Sequence, residues 1–278
     1  MIQIEEYCRK RKLRGKLCIP DGAMNALVIM VHGIGEHGGC YDYWAEKFVQ
    51  QSVGFLTFDL RGHGNSPGIR GHASIRSIKN DLQTIIQNMH EKFPDIPLVL
   101  LGHSLGGQIV LSYALDHHVE IQGVIASSPW LKLVRPPATI LLWLARWASY
   151  IAPWLTVRTG IRADQLSPNS AATRSTKKDP LLHKKISIKL FSDLWKNGER
   201  LLRNRQQINI PLLLMHGTDD PLCSFQACKS FAQNAGEYAT FKAWEGKRHD
   251  LLNNDYSEHV FQYVMKWLSN KVIENGTV

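Results

Sequence analysis

Short, unbroken apolar runs recur along this chain, and most are followed by a stretch long enough for a helix. Ala26 to Val31 (ALVIMV) ends at His32-Gly33, and Gly54 to Phe58 (GFLTF) ends at Asp59. The pattern returns at Pro97 to Leu101 (PLVLL), at Gly123 to Ala126 (GVIA) and at Pro211 to Met215 (PLLLM), with a weaker run at Thr240 to Trp244. A strand with one wet face alternates apolar and polar residues. An unbroken run is buried on both faces, as parallel strands are when crossover helices cover the sheet. Amphipathic stretches of helical length lie between them: Tyr43 to Gln51, Ile75 to Lys92, Leu105 to Ala114, Phe225 to Ala235 and Tyr256 to Lys271. In the last of these, Val260, Val264, Trp267 and Leu268 share a face. Strand alternating with helix predicts an α/β fold with a mostly parallel, doubly wound sheet. Lys12 to Ile19 alternates weakly and suits an antiparallel edge strand.

One connection breaks the rhythm. About eighty residues separate the run ending near Ser127 from the one starting at Pro211, where a crossover needs a dozen or so. We therefore expect one domain of 278 residues, its core formed by residues 1–127 and 210–278, with residues 128–209 inserted as a helical cap. The insertion also holds the excess positive charge. The chain carries a formal +9, and from Ser128 to Asn209 there are 15 Lys or Arg against 4 Asp or Glu, so the rest of the molecule is close to balanced. Such a face suits an anionic membrane or another acidic partner. No nucleic-acid-binding module accompanies it, so nucleic acid is not expected.

The five cysteines (Cys8, Cys18, Cys40, Cys223, Cys228) are scattered and form no CxxC pair, so we expect free thiols and no thiolate metal site. Met1 to Lys16 lacks the charge, apolar run and small-residue order of a signal peptide. Cytoplasmic residence is the expectation, with peripheral contact at a membrane surface.

The chemistry gathers where apolar runs end. Gly102-His103-Ser104-Leu105-Gly106 fits GxSxG directly after one run and directly before a helical stretch, the context of a nucleophile elbow. Strand and helix approach closely on either side of such a serine, so glycine is needed at both flanking positions. A serine hydroxyl attacks only when an imidazole takes its proton, and a carboxylate must hold that imidazole in one tautomer. Both partners follow in order. His216-Gly217-Thr218-Asp219-Asp220-Pro221 offers a carboxylate after PLLLM, and His249 lies in the loop after the last run. Acyl transfer further needs two main-chain donors for the oxyanion. Leu105, following the serine, supplies one, and Ile34 in His32-Gly33-Ile34-Gly35 supplies the other. No metal or organic cofactor is required.

A rival reading uses the same glycines. Gly33-Ile34-Gly35-Glu36-His37-Gly38 satisfies GxGxxG after a strand, and Asp59 ends the next strand about twenty residues on, as in a nicotinamide-binding dehydrogenase. Gly39-Cys40-Tyr41-Asp42 delays the helix that a pyrophosphate would need, and the dehydrogenase reading leaves Ser104, His249 and the aspartate unexplained. A non-catalytic lipid-binding protein of the same fold leaves the complete set unexplained too.

Four segments together resemble the monoglyceride lipase and lysophospholipase branch of the α/β-hydrolases: His32 to His37, Phe58 to Ser66, the elbow around Ser104, and His216 to Cys223 with His249. The resemblance implies an α/β-hydrolase fold with a cap, and hydrolysis of single-chain lipid esters, with monoacylglycerol, lysophospholipid and simple carboxylic esters as the substrates to compare. It places the triad acid on Asp220, with Asp219 as the alternate. Glu36, His37, Asp59, Arg61 and His63 become loop-organising residues, and His103 a structural one. Cys40 stands where the family often has arginine, and Cys223 resembles a family thiol near the site, which makes thiol reagents expected inhibitors.

From Ala138 to Leu155 the cap reads ATILLWLARWASYIAPWL, with Leu144, Trp147, Ile151 and Trp154 at helical spacing. Arg146 and Pro153 interrupt it, so it is a poor candidate to span a bilayer, which takes about twenty consecutive apolar residues. Two uses remain open: a lid lining an acyl pocket, with Trp143, Trp147 and Ile151 as substrate contacts, or a helix lying on an anionic membrane.

Overall fold

The computed structural model describes residues 12–116, 120–166, 179–204 and 207–274. Cys8, most of the Met1 to Lys16 stretch, and Arg174, Lys177, Lys178 and Arg205 of the basic segment lie outside the described residues. In chain order, the main sheet and its helices begin with β1 (Gly15–Cys18), β2 (Ala26–Val31), α1 (Asp42–Gln50), β3 (Val53–Phe58), α2 (Ile75–Lys92), β4 (Leu98–His103), α3 (Leu105–Asp116) and β5 (Gly123–Ser127). The inserted segment holds α4 (Thr139–Ile151), β6 (Thr156–Arg158), α5 (Ala163–Leu166), β7 (Lys185–Ser187) and α6 (Ile188–Arg203). The chain then returns through β8 (Leu212–Gly217), α7 (Phe225–Asn234), β9 (Ala239–Trp244) and α8 (Ser257–Leu268).

Seven strands form one sheet in the order β1-β3-β2-β4-β5-β8-β9. Only β1 runs antiparallel, pairing with β3 at the edge where the weak alternation predicted it. Every residue of β2, β3, β4, β5 and β8 is buried, which explains the unbroken apolar runs. The two-residue period still decides which layer each side chain enters. Leu27, Ile29 and Val31 join the layer containing Ile78 and Leu82 of α2 and Ile109 of α3. Ala26, Val28 and Met30 join the opposite layer with Trp44 and Phe48 of α1 and Phe261 and Val264 of α8. That second layer is aromatic. Phe48 stacks on Phe55 at 5.2 Å, and the Trp44 indole N–H donates to the Leu252 carbonyl at 2.7 Å, so its one polar atom is satisfied.

The strand order reverses between β2 and β4, so their carboxyl ends diverge and leave the crevice where sheets of this kind bind ligands. Pairing of Val31 with Gly102, and of Ser127 with Met215, brings the ends of four strands to one edge. Over that edge lies the inserted segment, which is attached in two ways. Leu190, Leu194 and Leu201 of α6 belong to the same core layer as α3, and the Gln108 amide donates to the Leu194 carbonyl at 2.9 Å. α4 behaves differently: Ser149 is its only buried residue. The outer part is pinned by the β6–β7 ribbon and by Ile188 N–H donating to the Leu155 carbonyl at 2.9 Å.

Candidate active site

Ser104 follows β4 immediately, with φ at +53°, a left-handed conformation that costs a non-glycine residue free energy. The turn is held on both sides. Ser104 N–H donates to Ser127 O at 3.0 Å, and Ser104 O accepts from Gln108 N–H at 3.1 Å and Trp130 N–H at 3.0 Å. Its glycines are sterically required. A β-carbon on Gly102 would stand 2.4 Å from the Gly106 carbonyl oxygen, and one on Gly106 would stand 1.8 Å from the Val31 carbonyl oxygen.

Asp220 follows the end of β8, and His249 lies in the loop after β9. A β-carbon on Gly217 would lie 2.2 Å from the Lys247 carbonyl oxygen, so glycine there lets the Lys247–His249 loop cross the end of β8. His249 thereby comes over Asp220. The imidazole Nδ1 lies 2.7 Å from Asp220 Oδ2, and Nε2 lies 2.9 Å from Ser104 Oγ. Side chains 145 and 29 residues apart in sequence form one hydrogen-bonded line, and all three residues are buried.

The line is polarised toward the serine. Burial opposes charge on Asp220, but His249 beside it and hydrogen bonds from His216 and His249 hold its carboxyl far below the usual carboxylate range. Its Oδ1 also accepts the main-chain N–H groups of Leu222 at 2.8 Å and Cys223 at 3.0 Å. On His249, burial again works against the charge, yet Asp220 wins and raises the imidazole above its ordinary 6.5. With Asp220 ionised, Nδ1 carries the hydrogen and Nε2 faces the serine as a proton acceptor.

The second donor loop is built around His32. Its Nδ1–H donates to the Gly33 carbonyl at 2.8 Å while Nε2 accepts from Leu60 N–H at 3.0 Å, which fixes one neutral tautomer. Gly33 N–H donates to Glu36 Oε2 at 2.7 Å, and Tyr41 OH donates to the same oxygen at 2.6 Å. Gly35 takes φ +79° and its carbonyl accepts His183 N–H at 3.0 Å. Ile34 therefore sits between two fastened glycines. Leu105 opens α3, where a first-turn N–H has no carbonyl one turn earlier to reach.

The other loop residues are bonded as organisers. Asp59 accepts Gly38 N–H and Asn65 N–H at 2.8 and 2.7 Å, Arg61 pairs with Asp81, and His37 Nε2 meets Asp179 Oδ2 at 2.8 Å. These bonds also remove the dehydrogenase reading. The glycine-loop amide of Gly33 already donates to a carboxylate, and α1 opens only at Asp42, after a short 3-10 turn over Gly38–Tyr41. His103 is wholly buried, with its ring 5.0 Å from that of His249.

Trp143, Trp147 and Ile151 stand 55%, 55% and 78% exposed on the outer side of α4, so they meet solvent, whereas Ser149 turns inward. Burial pushes both Cys223 and Cys40 far above the ordinary thiol range, and Cys223 has the Asp220 charge beside it. A neutral thiol is a poor nucleophile. We therefore expect iodoacetamide at about pH 8, half a unit below the free thiol reference, to leave both unmodified and activity intact, as read by peptide mapping beside an activity assay.

The family described as serine aminopeptidase S33 matches residues 22–256. The chain belongs to that family. An uncharacterized abhydrolase domain-containing protein of Dictyostelium discoideum is 32% identical over 90% of this chain but only 27% of its own length. A putative monoglyceride lipase of Schizosaccharomyces pombe is 30% identical over 87% of this chain and 66% of its own. The chain thus spans about a quarter and about two thirds of these two relatives. The crystal structure of a monoacylglycerol lipase from Paleococcus ferrophilus superposes with a TM-score of 0.86 at 30% identity, covering 93% of this chain and 99% of that one. The α/β-hydrolase fold and the kinship with monoglyceride lipases expected from the sequence are both borne out.

Sequence reading assigned no role to His216, although it stands four residues before Asp220 and its Nε2 lies 2.9 Å from Asp220 Oδ2. It also missed His183 and Asp179, which fasten the inserted segment to the Gly35 and His37 loop. The His216 signal was present as a histidine at a strand end beside the acid. Nothing local marks His183 or Asp179, whose partners lie far away in sequence.

Proposed function

We propose that this protein hydrolyses single-chain lipid esters, with monoacylglycerols as the leading substrates, through a Ser104-His249-Asp220 triad and an acyl-enzyme. The observation that carries the reading is the continuous hydrogen-bonded line from Asp220 through His249 to a serine on a strained strand-to-helix turn. The names of the fission-yeast and Paleococcus relatives support the lipid class. In the proposed cycle Ser104 Oγ attacks the ester carbonyl as its proton passes to His249 Nε2, and the Ile34 and Leu105 amides face the oxyanion. The tetrahedral species collapses as His249 returns the proton to the departing alcohol. Water, deprotonated by His249, then releases the fatty acid.

A panel of monoacylglycerols, lysophosphatidylcholine and short p-nitrophenyl esters tests the class. We expect the highest kcat/KM on monoacylglycerols; preference for the short esters would remove the lipid assignment. Because neutral His249 is the base and its pKa is raised above 6.5, hydrolysis should fall as pH drops through a value higher than that. A rate unchanged down to about pH 4, well below the free-imidazole reference, would contradict the role of His249.

We further propose that residues 128–209 act as a cap whose α4 face rests on membranes. Among the described residues no helix is long and apolar enough to cross a membrane. Ile140, Leu141, Trp143, Leu144, Trp147, Tyr150, Ile151 and Trp154 nonetheless form an exposed apolar and aromatic band, with Arg135, Arg146, Arg158 and Lys196 in the same segment. Tryptophan favours the headgroup level, and each nearby cation adds about 1 kcal/mol at an anionic surface. In this position Trp143, Trp147 and Ile151 would guide lipid toward the site from outside it. Flotation with anionic vesicles should carry the protein upward at low salt and much less at high salt. Protein that stays wholly in the soluble fraction at low salt would sink this part.

A further inference from the structure

His216, the last residue but one of β8, is wholly buried, and its Nε2 lies 2.9 Å from Asp220 Oδ2 and 3.1 Å from the Cys223 carbonyl oxygen. Both neighbours are acceptors, so Nε2 carries the hydrogen. Its Nδ1 is buried without a hydrogen-bond partner among the described residues. His216 therefore donates from Nε2. Asp220 Oδ2 receives N–H groups from two imidazoles, His249 at 2.7 Å and His216 at 2.9 Å, while Oδ1 receives the Leu222 and Cys223 amides. A carboxylate offers about four lone-pair sites, so this one is saturated.

We propose that His216 is a positioning residue that sets the basicity of His249 by sharing the Asp220 carboxylate oxygen with it, an inference that rests on the ester-hydrolase reading above. Each donor to a carboxylate draws charge from it and leaves less to stabilise an imidazolium next door. A proton held too tightly by His249 could not be returned to the leaving alcohol, so moderating Asp220 serves the second half of each acyl transfer. His216 does this while anchoring the acid at the end of a rigid strand.

The remaining charged and titratable neighbours do not replace it. Asp250 and Glu36 add negative potential at His249 and reinforce Asp220. The His103 ring lies 5.0 Å from that of His249. The thiols of Cys223 and Cys228, which face Asp220, are kept protonated by burial. Phe225 closes the other side of His216 edge-on at 6.0 Å and carries no charge.

The test follows the rate at which a fluorophosphonate labels Ser104 as a function of pH, since labelling does not depend on the lipid chosen. His216→Phe keeps a ring and removes the donor, and should move the acid limb upward by about half a pH unit. His216→Gln restores an N–H toward Oδ2 and should keep the midpoint within about 0.2 unit of the unsubstituted protein. If labelling slows equally at every pH in the Phe variant with its midpoint fixed, or if Gln shifts the midpoint as far as Phe, the proposal is overturned. Nitrogen-15 NMR of the unsubstituted protein decides the matter even if His216→Phe does not fold. His216 should carry its hydrogen on Nε2, facing Asp220 Oδ2 and the Cys223 carbonyl, and an Nδ1–H tautomer would overturn the proposal. Absence of labelling in the unsubstituted protein would instead defeat the ester-hydrolase reading, and this role with it.

Discussion

Ser104→Ala should lower kcat for ester hydrolysis by about a million-fold, the scale on which losing a triad nucleophile acts. The hydroxyl is the only group at the end of β4 that lies within hydrogen-bond reach of His249 Nε2 among the described residues, at 2.9 Å. Without it no acyl-enzyme forms, and what remains is transition-state stabilisation by the main-chain donors. The substitution should leave the fold intact, because serine and alanine meet a comparable penalty at φ +53°. Kinetics at saturating monoacylglycerol, run beside a thermal melt, check both halves. Activity within tenfold of the original would mean that another residue performs the attack.

Asp220→Asn comes next, with an expected fall of about ten-thousand-fold in kcat. The carboxylate fixes the hydrogen on His249 Nδ1. An amide nitrogen in its place would donate toward Nδ1, drive the hydrogen to Nε2 and leave the imidazole unable to accept from Ser104. The neighbouring residue provides the control. Among the described residues the Asp219 carboxylate accepts from the Thr218 hydroxyl alone, at 3.0 Å, within an exposed turn. Asp219→Asn should therefore change the rate by no more than about twofold, as surface substitutions usually do. The opposite ranking of the two variants would reassign the acid.

Much of this architecture was legible because burial on both faces of a sheet leaves a plain signature. The runs in β2, β4 and β8 are apolar throughout, and α2 spans Ile75–Lys92 as its periodicity predicted, with Ser74 and Ser77 closing a capping box at its start. The chemical residues were legible for a different reason: strand ends converge on one edge, so order along the chain translates into proximity. What escaped depends on long-range packing. Periodicity shows which residues of α4 share a face but not which way the face points, and Leu144, Trp147, Ile151 and Trp154 all turn toward solvent. The same limit applies to α6, which sits in the insertion by sequence while Leu190, Leu194 and Leu201 pack into the main core. The hydrogen bond from His183 N–H to the Gly35 carbonyl crosses well over a hundred residues, and no local pattern encodes it.

The central claim is that one serine, activated by one histidine, becomes covalently acylated. The most direct measurement is peptide-resolved mass spectrometry of the protein quenched during turnover of a p-nitrophenyl ester. A single acyl adduct is expected on the peptide containing Ser104, accumulating near neutral pH and absent from His249→Ala. Steady hydrolysis with no adduct on that peptide, or an adduct on a different residue, would contradict it.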